Sequence, residues 1–113
     1  MSVSYFIRYD ISTPDEEAFL SYYRDHHVKI LSRWPGLRRI VLHTPMEWSD
    51  AWPVNRGRAL LLAQLEFDSA EAMYAAFASP ERAAARADMA NFPPFQGMVT
   101  HQALAGAEAW RSR

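Results

Sequence analysis

Apolar and polar residues alternate in four short stretches of the chain, and they recur with helical spacing in the segments between them. Alternation is typical of a half-buried β-strand, because successive side chains point to opposite faces of the sheet. The third stretch is apolar on both faces around Leu60, which predicts that both of its faces are covered. The four predicted strands are residues 3–9, 38–44, 58–67 and 95–103.

The segment 13–37 carries the clearest helical pattern. Thr13 suits the N-cap, Pro14 the first helical position, and Glu16 the acidic position of a capping box. The sequence Pro35-Gly36 ends the pattern, because proline cannot continue a helix and glycine tolerates the turn. One face of the predicted helix is apolar and consists of Phe19, Leu20, Tyr23, Ile30, Leu31 and Trp34.

A second helical region follows the third strand. Asp68 or Ser69 is its predicted N-cap, and Glu71 is placed for a capping box. Ser79-Pro80 indicates a break, so residues 80–89 are predicted as a separate helix.

The predicted order βαββαβ is that of the ferredoxin-like fold, an α+β architecture. It places a four-stranded antiparallel sheet under helices that lie on one face. The other face then needs a cover. Because the third strand is apolar on both sides, we expect two copies to join as a homodimer, a dimeric α+β barrel with the helices outside.

Composition narrows the class of protein. A chain of 113 residues fits one domain, residues 1–113. The net charge of −1 and the lack of a basic patch argue against nucleic acid as a partner. The N-terminal residues do not resemble a signal peptide, and no apolar run is long enough to cross a membrane. With no cysteine, the sequence favours a cytoplasmic protein without a membrane partner.

Two segments lack any period. The stretch 46–57 is a long loop that contains Trp48 and Trp52, and two loop tryptophans need a partner subunit or a ligand to cover them. The tail 104–113 contains Trp110, which predicts that the tail docks on the domain.

Several short motifs resemble those of the EthD-like family in the dimeric α+β barrel superfamily. Residues 19–27, with Pro35-Gly36-Leu37, resemble the first-helix signature, and residues 67–72, 79–81 and 87–88 resemble the second half. The similarity covers residues 3–103. The family's typical histidine corresponds to His27, although Val28 and Lys29 replace the small residue and proline that usually follow it. The resemblance implies a small-molecule pocket between sheet and helices.

His27 is the leading candidate for catalysis, because it lies within the apolar stripe and histidine titrates near neutral pH. The competing interpretation is a core-edge histidine bonded to a carbonyl or a tyrosine. We predict that Tyr23, or its neighbour Tyr22, donates a hydrogen bond to a substrate oxygen, although at least one of these tyrosines is expected to be simply core. The predicted catalytic pair is His27 and Tyr23.

Further aromatic and polar residues are candidates for binding. The aromatic ones suit a flat hydrophobic or aromatic ligand, or they seal a dimer interface. His26 is expected at the rim, and Trp34 has a core interpretation as well. Four residues remain unassigned: Arg8, His43 and His101 by the face they occupy, and Asp88 because a helix cap or an ion pair explains it equally well. The predicted substrate-binding residues are Tyr22, His26, Trp34 and Phe92.

No motif points to a metal or an organic cofactor. His26 and His27 are adjacent, so on a helix they diverge by about 100° and do not chelate one ion together. The sequence contains no GxSxG, GxGxxG or Walker-type motif. We therefore expect no cofactor.

These features predict a cofactor-independent isomerase or cyclase that acts on a lactone, a polyketide-like compound or an aromatic metabolite by proton transfer through His27. Two alternatives stay open. One is a non-catalytic ligand-binding or accessory protein of a catabolic pathway. The other is a cofactor-free monooxygenase.

Overall fold

A computed structural model describes residues 2–113 and shows one four-stranded antiparallel sheet with the strand order β2-β3-β1-β4. This order and its pairing confirm the predicted ferredoxin-like arrangement. The first and last strands of the chain are longer than their alternation predicted, since β1 and β4 are paired with each other over eleven residues. The strands are β1 Ser2–Ser12, β2 Leu37–His43, β3 Leu61–Phe67 and β4 Gln96–Gly106.

The helices pack on one face of the sheet. The first helical region is continuous but has three parts: α1 Glu16–Tyr22, a π-helical turn Tyr23–His27, and α2 Val28–Leu31. The second region consists of α3 Ala70–Phe77, α4 Pro80–Asp88 and a 3₁₀ turn Met89–Asn91. Within residues 2–113, the helices are too short or too polar to cross a bilayer.

Two helix starts differ from the prediction. The N-cap of α1 is Asp15, whose carboxylate accepts the Ala18 N–H at 3.0 Å. The Thr13 prediction was therefore wrong, and the Thr13 hydroxyl instead donates to the Pro94 carbonyl at 2.8 Å. At α3 the cap is Ser69, one of the two predicted residues, so Glu71 lies one position too early for a capping box.

The core lies between the sheet and the helices. On β1 the residues Val3, Tyr5, Ile7 and Tyr9 all point to the helical side and are buried, as their alternation predicted. On β3 the buried residues also alternate, because the two strands are paired in register. Each of these side chains removes apolar surface from water, which is the main favourable contribution to folding.

The opposite face of the sheet is open to solvent. Phe6 and Leu62 lie half-buried there, and Leu104 is exposed. The sequence predicts that both faces of β3 are covered. Residues 2–113 of one chain cover only the helical face. Arg8 lies on this face and pairs with Asp10 at 2.9 Å. His43 lies there too and hydrogen-bonds to Gln64 at 3.0 Å.

The predicted loop has no regular structure, and the first residues of the predicted tail, 104–106, belong to β4. No helix or strand occurs in residues 44–60, which include the predicted loop 46–57, and β3 begins three residues later than predicted. The Arg56 guanidinium lies 4.2 Å from the centre of the Trp48 ring and covers part of it, whereas Trp52 remains 77% exposed. Trp110 is 81% exposed, so the prediction that the tail docks was wrong for this chain alone.

Candidate functional site

A cavity of about 500 Å³ lies between the helices and the sheet, over strands β1 and β4. Three groups of residues line it. The floor comes from the two strands, one wall from the end of the first helical region, and the other wall from α4. The lining residues are Tyr5, Ile7, Tyr9, Val99, His101, His27, Leu31, Trp34, Arg82, Ala85, Arg86 and Met89.

The π-helical turn presents His27 to this cavity. Its wider spacing is visible in the hydrogen bond from the Val28 N–H to the Tyr23 carbonyl, five residues earlier. A π turn inserts one residue into a helix and shifts the residues that follow around its axis. Tyr23 and His27, four residues apart, both face inward, and only 3% of His27 remains exposed.

His27 forms a buried pair with Asp88, the last residue of α4. The Nδ1 of His27 lies 2.9 Å from Oδ2 of Asp88. The other carboxylate oxygen accepts hydrogen bonds from the Tyr22 hydroxyl at 2.8 Å and from the Asn91 amide at 3.1 Å. An ionised carboxylate only accepts, so Nδ1 carries the proton and Nε2 has the free lone pair. Among the described residues, Nε2 has no hydrogen-bond partner.

The electrostatics keep this pair as a neutral imidazole beside an ionised carboxylate. Burial lowers the pKa of His27 below its ordinary value, and the hydrogen bond and charge of Asp88 oppose that shift only in part. Burial alone would raise the pKa of Asp88, but the three hydrogen bonds that it accepts outweigh burial and hold the pKa below its usual range. At neutral pH, His27 is therefore a base with an oriented lone pair.

The family model for the EthD domain matches residues 13–94 of this chain. This range begins just before α1 and ends beyond Asn91, so it includes His27 and Asp88. The chain belongs to the EthD domain family.

This EthD domain is similar to several known proteins. It is 37% identical over 78 residues to an uncharacterized 11.0 kDa protein in the thcB-thcC intergenic region of Rhodococcus erythropolis, covering 69% of this chain and 72% of that protein. An ethyl tert-butyl ether D (EthD) family protein from Bacillus halodurans superimposes with a TM-score of 0.75 at 20% identity, over 95% of this chain and all of that one. A monooxygenase from the gene ActVA-Orf6 of Streptomyces coelicolor, in complex with Nanaomycin D, superimposes with a TM-score of 0.69 at 14% identity. The superposition covers 99% of this chain and 93% of that one. At such low identities, the two structures show a shared fold.

The EthD domain brings some of the predicted site residues to the cavity and places others behind it. His27 and Trp34 line the cavity. Phe92 packs edge-on against the His27 ring, with centroids 4.8 Å apart. Tyr22 donates to Asp88, and the exposed His26 stacks on Tyr22 with centroids 5.0 Å apart, so both lie on the far side of the pair.

Tyr23 is wholly buried and is not among the cavity-lining residues. Its ring lies 4.8 Å from that of His27, and its hydroxyl has no hydrogen-bond partner within residues 2–113. Burial raises the pKa of Tyr23 well above its ordinary value and that of the neighbouring Tyr9 to about 12. Both phenols therefore stay protonated. Tyr23 packs against the base and does not reach the cavity.

Several residues of the site were missed or left unassigned by sequence reasoning. Asp88 had only a cap or an ion pair as its interpretation, and its pairing with His27 depends on a tertiary contact 61 residues away. His101 proves to face the cavity, where its Nδ1 shares a 2.5 Å hydrogen bond with the Tyr5 hydroxyl. Arg82 and Arg86 were not considered, although their spacing from Ala85 places all three on one face of α4.

In the part of the chain that the structure describes, no three histidine or carboxylate side chains cluster closely enough to hold a metal ion. His26 and His27 point to different surroundings, one exposed and one buried. What the cavity offers chemically is a histidine oriented by a buried carboxylate, a second histidine bonded to Tyr5, a mostly apolar lining and two guanidinium groups.

Proposed function

We propose that this EthD domain is a cofactor-independent isomerase or cyclase that binds a lactone, a polyketide-like compound or an aromatic metabolite in the cavity between sheet and helices. The observation that carries the proposal is the state of His27. His27 lines the cavity, no described residue makes a hydrogen bond to its Nε2, and its Nδ1 is fixed by a buried carboxylate. An imidazole held only for packing would need neither the cavity nor a chain of three hydrogen bonds on Asp88.

The proposed reaction is a proton transfer at carbon. Nε2 of His27 takes a proton from a carbon next to a carbonyl, and the electrons of that C–H bond form an enolate. The resulting imidazolium is stabilised by the negative charge of Asp88, 2.9 Å away. Return of the same proton to a different carbon gives an isomer, so atoms and electrons balance with no further reagent. A positioned base of this kind contributes about 10²–10⁴-fold to the rate.

The surroundings of His27 favour this use. Phe92 and Tyr23 pack against the ring and restrict its rotation. The Tyr22 hydroxyl donates a hydrogen bond to the Asp88 carboxylate and helps to hold it in place. This hydrogen bond raises the pKa of Tyr22, so Tyr22 stays protonated and does not act as a second base. We therefore assign Tyr22, Tyr23 and Phe92 to the positioning of the His27–Asp88 pair.

A cofactor-free monooxygenase is the second candidate. The specific observation in its favour is the fold shared with the Streptomyces coelicolor monooxygenase, whose structure contains Nanaomycin D. Such an enzyme would use the same first step, since removing a proton from a substrate yields an electron-rich carbanion for reaction with oxygen. A binding protein without catalysis would use the cavity alone and would not require the base form of His27.

We further propose that two copies join through the open faces of their sheets. That face has a shallow cavity of about 610 Å³ whose apolar lining includes Phe6, Leu62 and Leu104. Its charged residues are already paired, Arg8 with Asp10 at 2.9 Å, so covering them leaves no lone charge. A homodimer in the cytoplasm remains our expectation, and sedimentation velocity at micromolar concentration tests the dimer.

The enzymatic proposal is tested by deuterium exchange. The purified protein is incubated in D₂O with a set of lactones and aromatic ketones, and ¹H NMR records loss of signal at the carbon next to the carbonyl. We expect exchange with at least one compound. It should fall by about 10²-fold or more in His27→Gln, because that variant lacks the base. Oxygen uptake in the same samples separates an isomerase from a monooxygenase.

The matched control is His26→Gln, which changes the adjacent and exposed imidazole. We expect it to keep wild-type exchange. A second readout needs no substrate, because ¹⁵N shifts of His27 report its tautomer. A proton on Nε2, or equal exchange in the wild type and His27→Gln, contradicts the proposal.

A further inference from the structure

One wall of the His27 cavity is positively charged. Arg82 and Arg86 lie one turn apart on α4, and both line the cavity together with Ala85, which is buried between them. The N-cap Ser79 fixes the start of α4 through a hydrogen bond to the Arg82 N–H at 3.3 Å, so this face of the helix is set by the local structure.

Neither guanidinium is neutralised by a carboxylate within residues 2–113. The arginines of the sheet behave differently, because Arg8 pairs with Asp10, Arg38 with Asp68, and Arg39 with Glu66. The guanidinium of the half-buried Arg82 lies 4.1 Å from the centre of the Phe77 ring, a contact that holds it in place without cancelling its charge.

The positive charge of the two arginines also affects His101, a third titratable group in the cavity. Burial lowers the pKa of His101, and the positive charges of Arg82 and Arg86 lower it further. His101 is therefore neutral at neutral pH and leaves the two guanidiniums as the cations of the site. Asp88, a buried carboxylate of the same helix, accepts three hydrogen bonds and is already paired with His27.

We infer that the ligand of this cavity is a small organic carboxylate with an apolar body, whose carboxylate is bound by Arg82 and Arg86. This inference rests on the proposed function for its reaction, but the binding claim stands on the arginines alone. Guanidinium groups bind carboxylates through charge-assisted hydrogen bonds, and the apolar lining accepts the remainder of the molecule. The same positive charge would stabilise an enolate when His27 removes a proton.

A matched pair of probes tests the inference by binding. Calorimetry compares 2-naphthoate with the uncharged 2-naphthamide, which has the same shape. We expect the wild type to bind the carboxylate about tenfold or more tightly than the amide. The preference should disappear in Arg82→Gln/Arg86→Gln, and added salt should weaken binding of the carboxylate more than binding of the amide.

The control is Arg33→Gln/Arg113→Gln, which removes the same net charge at two exposed arginines outside the cavity. It should keep the preference. Because replacing Arg82 removes its contact with Phe77, the single variant Arg86→Gln and circular dichroism of every variant accompany the measurement. Arg86→Gln should lose part of the preference, since one of the two cations remains. Equal affinity for the two probes in the wild type, no binding of naphthoate at millimolar concentration, or a full preference in the double variant overturns the inference.

Comparing binding with exchange in the wild type separates this inference from the proposed function. A wild type that prefers naphthoate but catalyses no exchange would refute proton transfer and leave the carboxylate site standing. Exchange with no preference for the carboxylate would do the reverse.

Discussion

The two faces of the sheet use neighbouring residues of the same strands in opposite ways. On β1 the helical face presents Tyr5, Ile7 and Tyr9, all buried, and the open face presents Phe6 and Arg8, which keep contact with solvent. Each face has a cavity of similar size, about 500 and about 610 Å³. The two faces differ most in whether their charged groups have partners. The open face pairs Arg8 with Asp10, whereas the helical face contains a base with a free lone pair and two arginines without a carboxylate partner among residues 2–113.

This difference separates a surface for assembly from a site for chemistry. Charges that are already paired can be covered by a second copy without a large desolvation penalty for a lone ion. Charges and lone pairs that the protein leaves without a partner at a cavity are suited to a ligand that supplies the partner. Cavity size alone would not have told the two faces apart.

Of the changes that test the difference between the two faces, Asp88→Asn should have the largest effect. This change keeps the shape of the side chain but removes the charge that fixes the His27 tautomer and stabilises its imidazolium. We expect turnover of the substrate found by exchange to fall about 10²-fold or more. The pH at which activity is lost in acid should also move lower, because Asp88 raises the pKa of His27.

Asp25→Asn is the control for that variant. It removes an exposed carboxylate from the π-helical turn and should leave turnover unchanged. Equal losses in the two variants would show that Asp88 acts only through the net charge of the protein.

Leu65 and Leu62 of β3 allow the stabilities contributed by the two faces to be compared, because their side chains point to opposite sides of the sheet. Leu65 is 0% exposed in the core, so Leu65→Ala should reduce the free energy of unfolding by about 2–5 kcal/mol. In a single chain, Leu62→Ala should reduce the free energy of unfolding by less than about 1 kcal/mol, since the Leu62 side chain is only half-buried.

Denaturant unfolding over a range of protein concentrations measures both effects. If two copies cover the open face, Leu62→Ala should also weaken association, whereas Leu65→Ala should not alter its concentration dependence. A loss for Leu62→Ala that equals that of Leu65→Ala at every concentration, with no change in association, would mean that the two faces do not differ as proposed.

The smallest expected effect is the pH dependence of stability. The folded pKa of His27 is lowered, so below its unfolded value of 6.5 the unfolded chain binds more protons than the folded chain. The stability from neutral His27 is complete above that pH and is lost as the pH falls through the folded pKa. His27→Gln should flatten this part of the curve of unfolding free energy against pH. His101 contributes with the same sign, so His101→Gln measures the remainder. An unchanged slope in His27→Gln would show that its pKa is not lowered in the folded state.

Local patterns in the sequence were enough to predict the order of the elements and the inward position of His27. Alternation on β1 specified which side chains are buried, and the helical stripe placed His27 among core residues. The errors were also local. Asp15 and Thr13 are both good N-caps by residue type, and the Pro94 carbonyl, far away in sequence, takes the Thr13 hydroxyl. Trp110 was expected to dock because it is apolar, but nothing in its spacing identifies a surface to receive it.

The sequence by itself determined the strands, the helices and a histidine on the buried side of the first helical region, because these follow from periods of two and about 3.6 residues. Only the tertiary structure decided which groups meet that histidine. Asp88, Arg82 and Arg86 belong to another helix, and their approach depends on how α4 lies over β1 and β4. The face of His101 was decided in the same way, through its register opposite Ile7 of β1. Contacts between distant segments carry no local period, and for this reason the chemistry of the cavity became visible only in the folded chain.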